Sequence, residues 1–209
     1  MNGLTHCIPG IFAIFALILL IDKALDSFEP IKFTGFLIFG LAMILLFTAS
    51  TLYHWLVVSE ENQKRLRKFD HIMIFIFIAA TYTPFCLGPL KGEWGWSLLA
   101  AIWLAALLGV FLKLRKKEMK RWASTAIYVF MGWLVIFAVV PFVKTVRPEA
   151  LFWVAFGGFF YTTGALIYAL KKPNPWPKHF DFHAVWHVFV VVGSFSHFWA
   201  IYRYLGTPS

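Results

Sequence analysis

The sequence predicts an all-α integral membrane protein, a bundle of seven transmembrane helices in which residues 1–209 form a single domain. Three observations lead to this prediction. The chain is 60% hydrophobic and only 14% charged, with a mean hydropathy of +0.73, which is too apolar for a soluble domain. Its apolar residues recur in stretches that approach or exceed the roughly 20 residues needed to cross a bilayer. Charged residues or Gly/Pro turns separate these stretches.

Seven apolar stretches define the predicted spans. They cover residues 4–22, 33–57, 70–90, 94–113, 122–143, 149–170 and 181–204. No Lys or Arg precedes the first stretch, and the segment after it, Asp22 to Asp26, is a poor cleavage site for a signal peptidase. The first span is therefore expected to stay as an anchored helix. Only Gly88 to Glu93 divides the third and fourth spans, which favours a helical hairpin.

The basic residues predict the orientation of the bundle. Thirteen of the nineteen Lys and Arg residues lie at the ends of the second, fourth and sixth spans or in the loops that follow them. Loops rich in Lys and Arg stay in the cytoplasm. The sequence therefore predicts a multi-pass protein of the cell (inner/plasma) membrane, with its amino terminus in the cytoplasm and its carboxyl terminus outside.

The same charge pattern limits the classes of partner. The net charge of +9 comes from residues between apolar blocks, so it indicates topology rather than nucleic-acid binding. Cys7 and Cys86 lie at or in apolar stretches, which indicates no disulfide framework. Gly157, Gly158 and Gly164 would allow close helix approach within one chain as well as between chains, so no oligomer is predicted.

Two histidines at the start of the seventh span have the spacing of metal ligands. His183 and His187 are four residues apart, which on a helix is a rotation of about 400° and places both imidazoles on one face. The spacing resembles that of the metalloprotease pattern His-Glu-x-x-His, but Ala184 stands where that pattern has its general base. The alternative is a pair of histidines that form hydrogen bonds between helices.

The predicted topology brings further polar residues to the level of this pair. The second span runs inward and ends near Ser50 and His54, and the third begins at Asp70. Three neutral imidazoles with an open fourth position are the ligand set of a catalytic zinc site. The sequence therefore predicts that His54, His183 and His187 bind Zn²⁺, with Asp70 orienting a water at the metal.

Each of these residues also has a simpler interpretation. His54 lies between Tyr53 and Trp55, as an interfacial histidine would, and Asp70 could cap the third helix.

Three other histidines are less suited to the metal. His6 could approach the cluster from the first helix, but capping or water contact explains it equally well. His197 lies ten residues beyond His187, roughly 15 Å along the helix axis, and is excluded as a ligand. His71 points about 100° away from Asp70 and is expected to be a packing or membrane-interface residue.

With these residues in place, the chain resembles the hemolysin III group of the progestin and adipoQ receptor family. The matching segments are residues 2–6 (NGLTH), 50–54 (STLYH), 69–74 (FDHIMI), 81–84 (TYTP), 183–187 (HAVWH) and 193–197 (GSFSH). The resemblance implies a seven-helix bundle with a cytoplasmic amino terminus and zinc bound by His54, His183 and His187. It also implies that Asp70 supports the zinc-bound water and that Ser50 belongs to the same polar pocket.

The wider superfamily resembles alkaline ceramidases, which implies hydrolysis of a lipid amide bond within the bilayer. The first hypothesis is therefore a zinc-dependent intramembrane hydrolase with Asp70 and Ser50 in its catalytic pocket and a membrane lipid as substrate or ligand. The second is a non-enzymatic receptor or membrane-homeostasis sensor in which structural zinc joins two helices. The third, a hemolysin-type pore, has little support because no span carries a visible polar stripe.

Overall fold

The computed structural model describes residues 4–26, 28–115, 119–176 and 180–205, and the side chains of residues 4–7 lie outside that description. These residues form a bundle of helices in chain order. The helices are α1 (Leu4–Leu25), α2 (Pro30–Trp55), α3 (Glu60–Leu87), α4 (Glu93–Leu114), α5 (Arg121–Trp133), α6 (Val139–Thr145), α7 (Pro148–Leu170) and α8 (Phe182–Ala200). A 3₁₀ segment, Leu134–Ala138, joins α5 to α6, and a π-helical turn, Ile201–Leu205, follows α8.

Among the described residues, seven spans are long and apolar enough to cross a membrane. The helices α5 and α6 and the 3₁₀ segment between them count as one span, Arg121–Thr145. The seven-helix prediction is confirmed. The carboxyl ends of α2, α4 and α7 and the amino ends of α3, α5 and α8 share one end of the bundle, called here the histidine end. The other is the opposite end.

Helix α3 forms the centre of the bundle. In its apolar window 67% of the residues are buried, against 17% for α7. Helices α2 and α4 pack on either side of α3, α1 packs on α2, and α8 packs mainly on α7. The ring of Phe12 in α1 lies 5.7 Å from Phe195 and 5.4 Å from Phe198 in α8, so aromatic contacts also join the first span to the last.

Helix α3 begins ten residues before the predicted start of the third span at Asp70. The Ser59 hydroxyl caps its first turn by accepting a hydrogen bond from the amide of Asn62, at 3.4 Å. Glu60 and Lys64 then form an exposed ion pair of 2.7 Å one turn apart. Residues 60–69 are too polar to be recognised as part of a span, but they are continuous with the apolar helix. Capping and i,i+4 pairs stabilise a helix regardless of its hydropathy.

The fifth span was predicted as one continuous apolar stretch, but the structure breaks its α-helix at residues 134–138. The Tyr82 hydroxyl of α3 pairs with the backbone groups at this break. It lies 2.9 Å from the carbonyl oxygen of Met131 and 2.7 Å from that of Gly132. It also accepts a hydrogen bond of 3.2 Å from the amide of Val135. Pro141 cannot donate an amide to the preceding turn. A side chain from a neighbouring helix thus pairs backbone groups that lipid could not satisfy.

Candidate metal centre

Helix α2 brings two of the predicted site residues to the histidine end. It ends at Trp55, where the amide of Leu56 still bonds to the carbonyl of Leu52 at 3.1 Å. Ser50 is buried, with 4% of its surface exposed, and His54 follows one helical turn later. The last two turns of α2 therefore place a hydroxyl below an imidazole on one helix face.

The start of α8 is fixed by an aspartate that the sequence analysis did not select. The Asp181 carboxylate accepts hydrogen bonds from the amides of His183 and Ala184, at 3.2 and 3.1 Å. The side-chain oxygen of Asn174 accepts a further bond of 2.8 Å from the amide of Phe182. With the first turn capped in this way, His183 and His187 lie on one face of α8, as their spacing predicts.

The structure brings the three predicted histidines together. Nε2 of His183 lies 3.2 Å from Nε2 of His54 and 2.9 Å from Nε2 of His187. One ring nitrogen from each of the three residues lies within 4.8 Å of the other two. The nitrogens come from α2 and α8, two helices that are far apart in sequence.

Hydrogen bonding alone does not explain this arrangement. An imidazole nitrogen carries either one in-plane lone pair or one N–H group. Nε2 of His183 therefore cannot form good hydrogen bonds to both Nε2 of His54 and Nε2 of His187. A cation shared by the three nitrogens would use all three lone pairs.

The distances also fit a metal ion. For Zn–N bonds of roughly 2.0–2.1 Å in a tetrahedral site, neighbouring nitrogens are about 3.3 Å apart. Two of the three separations in the cluster, 3.2 and 2.9 Å, are within a few tenths of an ångström of that value. The cluster of His54, His183 and His187 could therefore hold a metal ion.

Asp70 and Ser50 form a buried polar pair beside the cluster. Each has 4% of its surface exposed, and the Ser50 hydroxyl hydrogen-bonds to the Asp70 carboxyl group. Because Ser50 is one turn from His54 on α2, the pair lies about one helical turn, roughly 5 Å, below the level of that imidazole. Asp70 of α3 is thereby joined to the helix that carries one of the three histidines.

Aromatic side chains pack beside His183. The Tyr168 ring lies 5.9 Å from the His183 ring and 4.9 Å from the Trp186 ring. The guanidinium carbon of Arg121 lies 5.1 Å from the Tyr168 ring centre, and its Nη2 donates a hydrogen bond of 3.3 Å to the Ala169 carbonyl. The amino end of α5 is thus held against the ends of α7 and α8.

Two of the other histidines, His197 and His71, form hydrogen bonds away from the cluster. Nε2 of His197 is 3.3 Å from the carbonyl oxygen of Val154, in the α7–α8 interface. Nδ1 of His71 is 2.6 Å from the carbonyl oxygen of Arg67, within its own helix. His6 lies in α1, but its side chain is outside the part of the chain that the structure describes.

Sequence reasoning missed three contributors to the site: Asp181, Tyr168 and Arg121. An aspartate just before an apolar helix is a recognisable N-cap signal, so Asp181 could have been found. Tyr168 and Arg121 carried no such signal, since an aromatic near a helix end and a basic residue in a loop are both common in membrane proteins. Only the packing of α5, α7 and α8 places them beside His183.

A comparison with known proteins identifies the family. A family model described as haemolysin-III related matches residues 1–198. The chain belongs to this family. It is 37% identical to the hemolysin-3 homolog of Bacillus subtilis (strain 168) over 203 residues, which cover 97% of this chain and 92% of that protein.

Two further relatives show the range of the family. Hemolysin-3 of Bacillus cereus is 36% identical over 204 residues, 98% of this chain and 90% of the relative. The monocyte to macrophage differentiation factor of Homo sapiens is 30% identical over 215 aligned positions, 98% of this chain and 83% of the relative. No solved structure matches the chain. These relatives confirm the resemblance to the hemolysin III group and identify a multi-pass cell-membrane protein.

Proposed function

We propose that this protein is a zinc-dependent hydrolase that cleaves a lipid amide bond inside the membrane. The observation that carries the proposal is the convergence of three histidine nitrogens within 4.8 Å of one another, one helical turn from a buried Ser–Asp pair. A metal site that only joins helices needs no such pair beside it.

His54, His183 and His187 are the residues that would hold the zinc ion. Three protein ligands with one open position distinguish catalytic zinc sites from structural sites, which are usually closed by four. Bound there, zinc would polarise an acyl carbonyl group and lower the pKa of a water molecule to about 7.

Asp70 acts as the general base in this proposal. Its carboxylate accepts a proton from the attacking water as the water oxygen bonds to the acyl carbon. The same carboxyl group then returns the proton to the departing nitrogen as the C–N bond breaks, which yields a fatty acid and an amine. The Ser50 hydroxyl, bonded to Asp70, keeps the carboxyl group oriented.

The surroundings of the site support a lipid substrate. The site is built from spans α2, α3 and α8, so a substrate reaches it from the bilayer. Tyr168, Phe182 and Trp186 lie around His183 and offer an apolar wall for an acyl chain. The amide bond itself is proposed from the family's resemblance to alkaline ceramidases.

The test measures zinc content and turnover in the same preparations. Elemental analysis of the wild type is expected to give one zinc ion per chain, which the His183→Ala/His187→Ala double variant loses and Asp70→Asn keeps. Release of fatty acid from a fluorescent short-chain ceramide is expected only from the wild type, with Asp70→Asn slower by roughly 10²-fold or more.

Two results would contradict the proposal in different ways. If protein purified without chelator contains no metal, the three histidines do not form a zinc site. If zinc is present but neither amide nor ester lipids are cleaved, the metal joins α2 to α8 without catalysis, as in the receptor or sensor hypothesis.

A further inference from the structure

A groove at the opposite end of the bundle forms a cavity of about 300 Å³ between α2, α3 and α4. Its two long walls come from α2 and α4. Ile31, Thr34 and Ile38 line one wall, and Trp96, Leu99 and Trp103 line the other. This volume is at the lower end of the roughly 300–1,000 Å³ that small-molecule sites occupy.

The shape of the groove suits an extended chain. On each wall the three residues are three or four positions apart, so they form a single stripe along the helix. Seven residues from the first to the last correspond to about 10 Å along the helix axis. The groove therefore runs parallel to the helices and along the direction in which acyl chains lie in a bilayer.

The groove is exposed near the first turns of α2 and α4, which form its mouth, and its floor is buried. Ile31 is 39% exposed and Trp96 is 56% exposed, whereas Thr83 of α3, at the floor, is 1% exposed. All three helices are membrane spans, so lipid is the solvent that borders this opening.

The two hydroxyl groups of the groove and the indole N–H of Trp103 already have partners inside the protein. The Thr34 hydroxyl donates to the carbonyl of Pro30 at 2.7 Å. The Thr83 hydroxyl donates to the carbonyl of Ala79 at 3.0 Å and accepts a hydrogen bond of 3.2 Å from Nε1 of Trp103. An occupant therefore gains contact area but no hydrogen bonds from these groups, which favours a hydrocarbon chain over a headgroup or a cluster of waters.

The groove is remote from the histidine cluster. On α2, Ile38 and His54 are sixteen residues apart, which is about 24 Å along the helix. A lipid in the groove would belong to the leaflet at the opposite end of the bundle.

We propose that this groove binds one acyl chain of a membrane phospholipid as a site separate from the metal centre. The chain lies between the two stripes with its methylene groups against Leu99 and the tryptophan rings. The phospholipid headgroup stays at the membrane surface, beside the exposed mouth of the groove.

The test fills the groove and measures lipid retention. In Leu99→Trp the larger side chain occupies the cavity. Leu104→Trp makes the same change outside the groove, at a residue of α4 that is 66% exposed. Each protein is stripped of lipid in detergent, supplied with 1-palmitoyl-2-oleoyl phosphatidylglycerol and examined by native mass spectrometry. The wild type and Leu104→Trp are expected to bind one phospholipid, and Leu99→Trp to bind it roughly ten-fold more weakly.

If Leu99→Trp does not fold, phospholipid retention is measured in Ile38→Trp, which fills the groove from α2. The His183→Ala/His187→Ala variant is expected to retain the phospholipid, so this result is independent of the proposed hydrolase. Equal retention in the groove variants and in Leu104→Trp would overturn the proposal. Failure of the wild type to retain phospholipid, or retention of a free fatty acid in its place, would also overturn it.

Discussion

Helix α8 carries histidines near both ends, and the two ends differ in what their ring nitrogens meet. In the first two turns, Nε2 of His183 faces two other histidine nitrogens, at 3.2 and 2.9 Å. Near the carboxyl end, Nε2 of His197 faces the backbone carbonyl of Val154 at 3.3 Å, and its Nδ1 has no hydrogen-bond partner within the described part of the chain. A buried histidine of α8 is therefore a candidate metal ligand where other histidine nitrogens converge on it, and not where it faces a backbone carbonyl.

The largest expected effect separates the two ends by metal content. His187→Ala removes one of the three converging nitrogens and is expected to reduce bound zinc from one ion per chain to nearly none, because two imidazoles hold zinc far more weakly than three. The matched change at the other end, His197→Ala, should leave the zinc content unchanged. Elemental analysis of both purified proteins measures the zinc content. A loss of zinc from His197→Ala would contradict the claim that only the first two turns of α8 bind the metal.

Removal of the metal should weaken the histidine end itself. A ligand present at a thousand times its dissociation constant stabilises the folded state by about 4 kcal/mol, and here it would tie α2 to α8. A chelator is therefore expected to lower the thermal unfolding temperature of the wild type. The same chelator should hardly change the unfolding temperature of His187→Ala, and equal shifts in both proteins would mean that it acts elsewhere.

The packing around His197 can be tested with two adjacent glycines of α7. A Cβ on Gly157 would meet Cδ2 of His197 at 2.6 Å and the carbonyl oxygen of Gly193 at 3.1 Å, whereas a Cβ on Gly158 would meet nothing within 4 Å. Gly157→Ala is therefore expected to lower the free energy of unfolding by about 1–3 kcal/mol through overpacking. Gly158→Ala is the control and should be close to neutral. Similar unfolding temperatures for both variants would show that the α7–α8 interface adapts at little cost.

The smallest expected effect concerns the Asp181 cap at the start of α8, beside the three histidines. Asp181→Ala removes the side chain that accepts bonds from the amides of His183 and Ala184, which should cost about 1 kcal/mol of stability. Asp181→Asn keeps a capping oxygen and is expected to restore most of that loss. Zinc affinity measured by competition with a chromophoric chelator should fall in the Ala variant, and an unchanged affinity would mean that packing alone positions His183.

Much of the fold could be predicted from the sequence, because a bilayer imposes a length and an apolar composition on each span. All seven stretches correspond to spans in the structure. The errors occur where hydropathy carries no information. The polar first turns of α3 are held by Ser59 and the Glu60–Lys64 pair, and the break in the fifth span is paired by Tyr82 from another helix.

The candidate site was predictable in part for a similar reason. The i,i+4 spacing of His183 and His187 on a helix fixes their common face, and the alternation of short-looped spans brings His54 and Asp70 to the same end. The roles of these residues in metal binding and hydrolysis remain predictions, tested by the zinc and turnover measurements described above.

The sequence by itself determined the spans, the end of the bundle that collects the polar residues and the face that His183 and His187 share, because these follow from local periodicity and from the thickness of a bilayer. The tertiary structure decided that the His54 nitrogen approaches His183 to 3.2 Å while Asp70 meets Ser50. It also decided that Arg121 stacks on Tyr168 and that α2 and α4 leave a groove between them. Distances between helices depend on how side chains from distant segments interlock, and no local pattern in the chain encodes them.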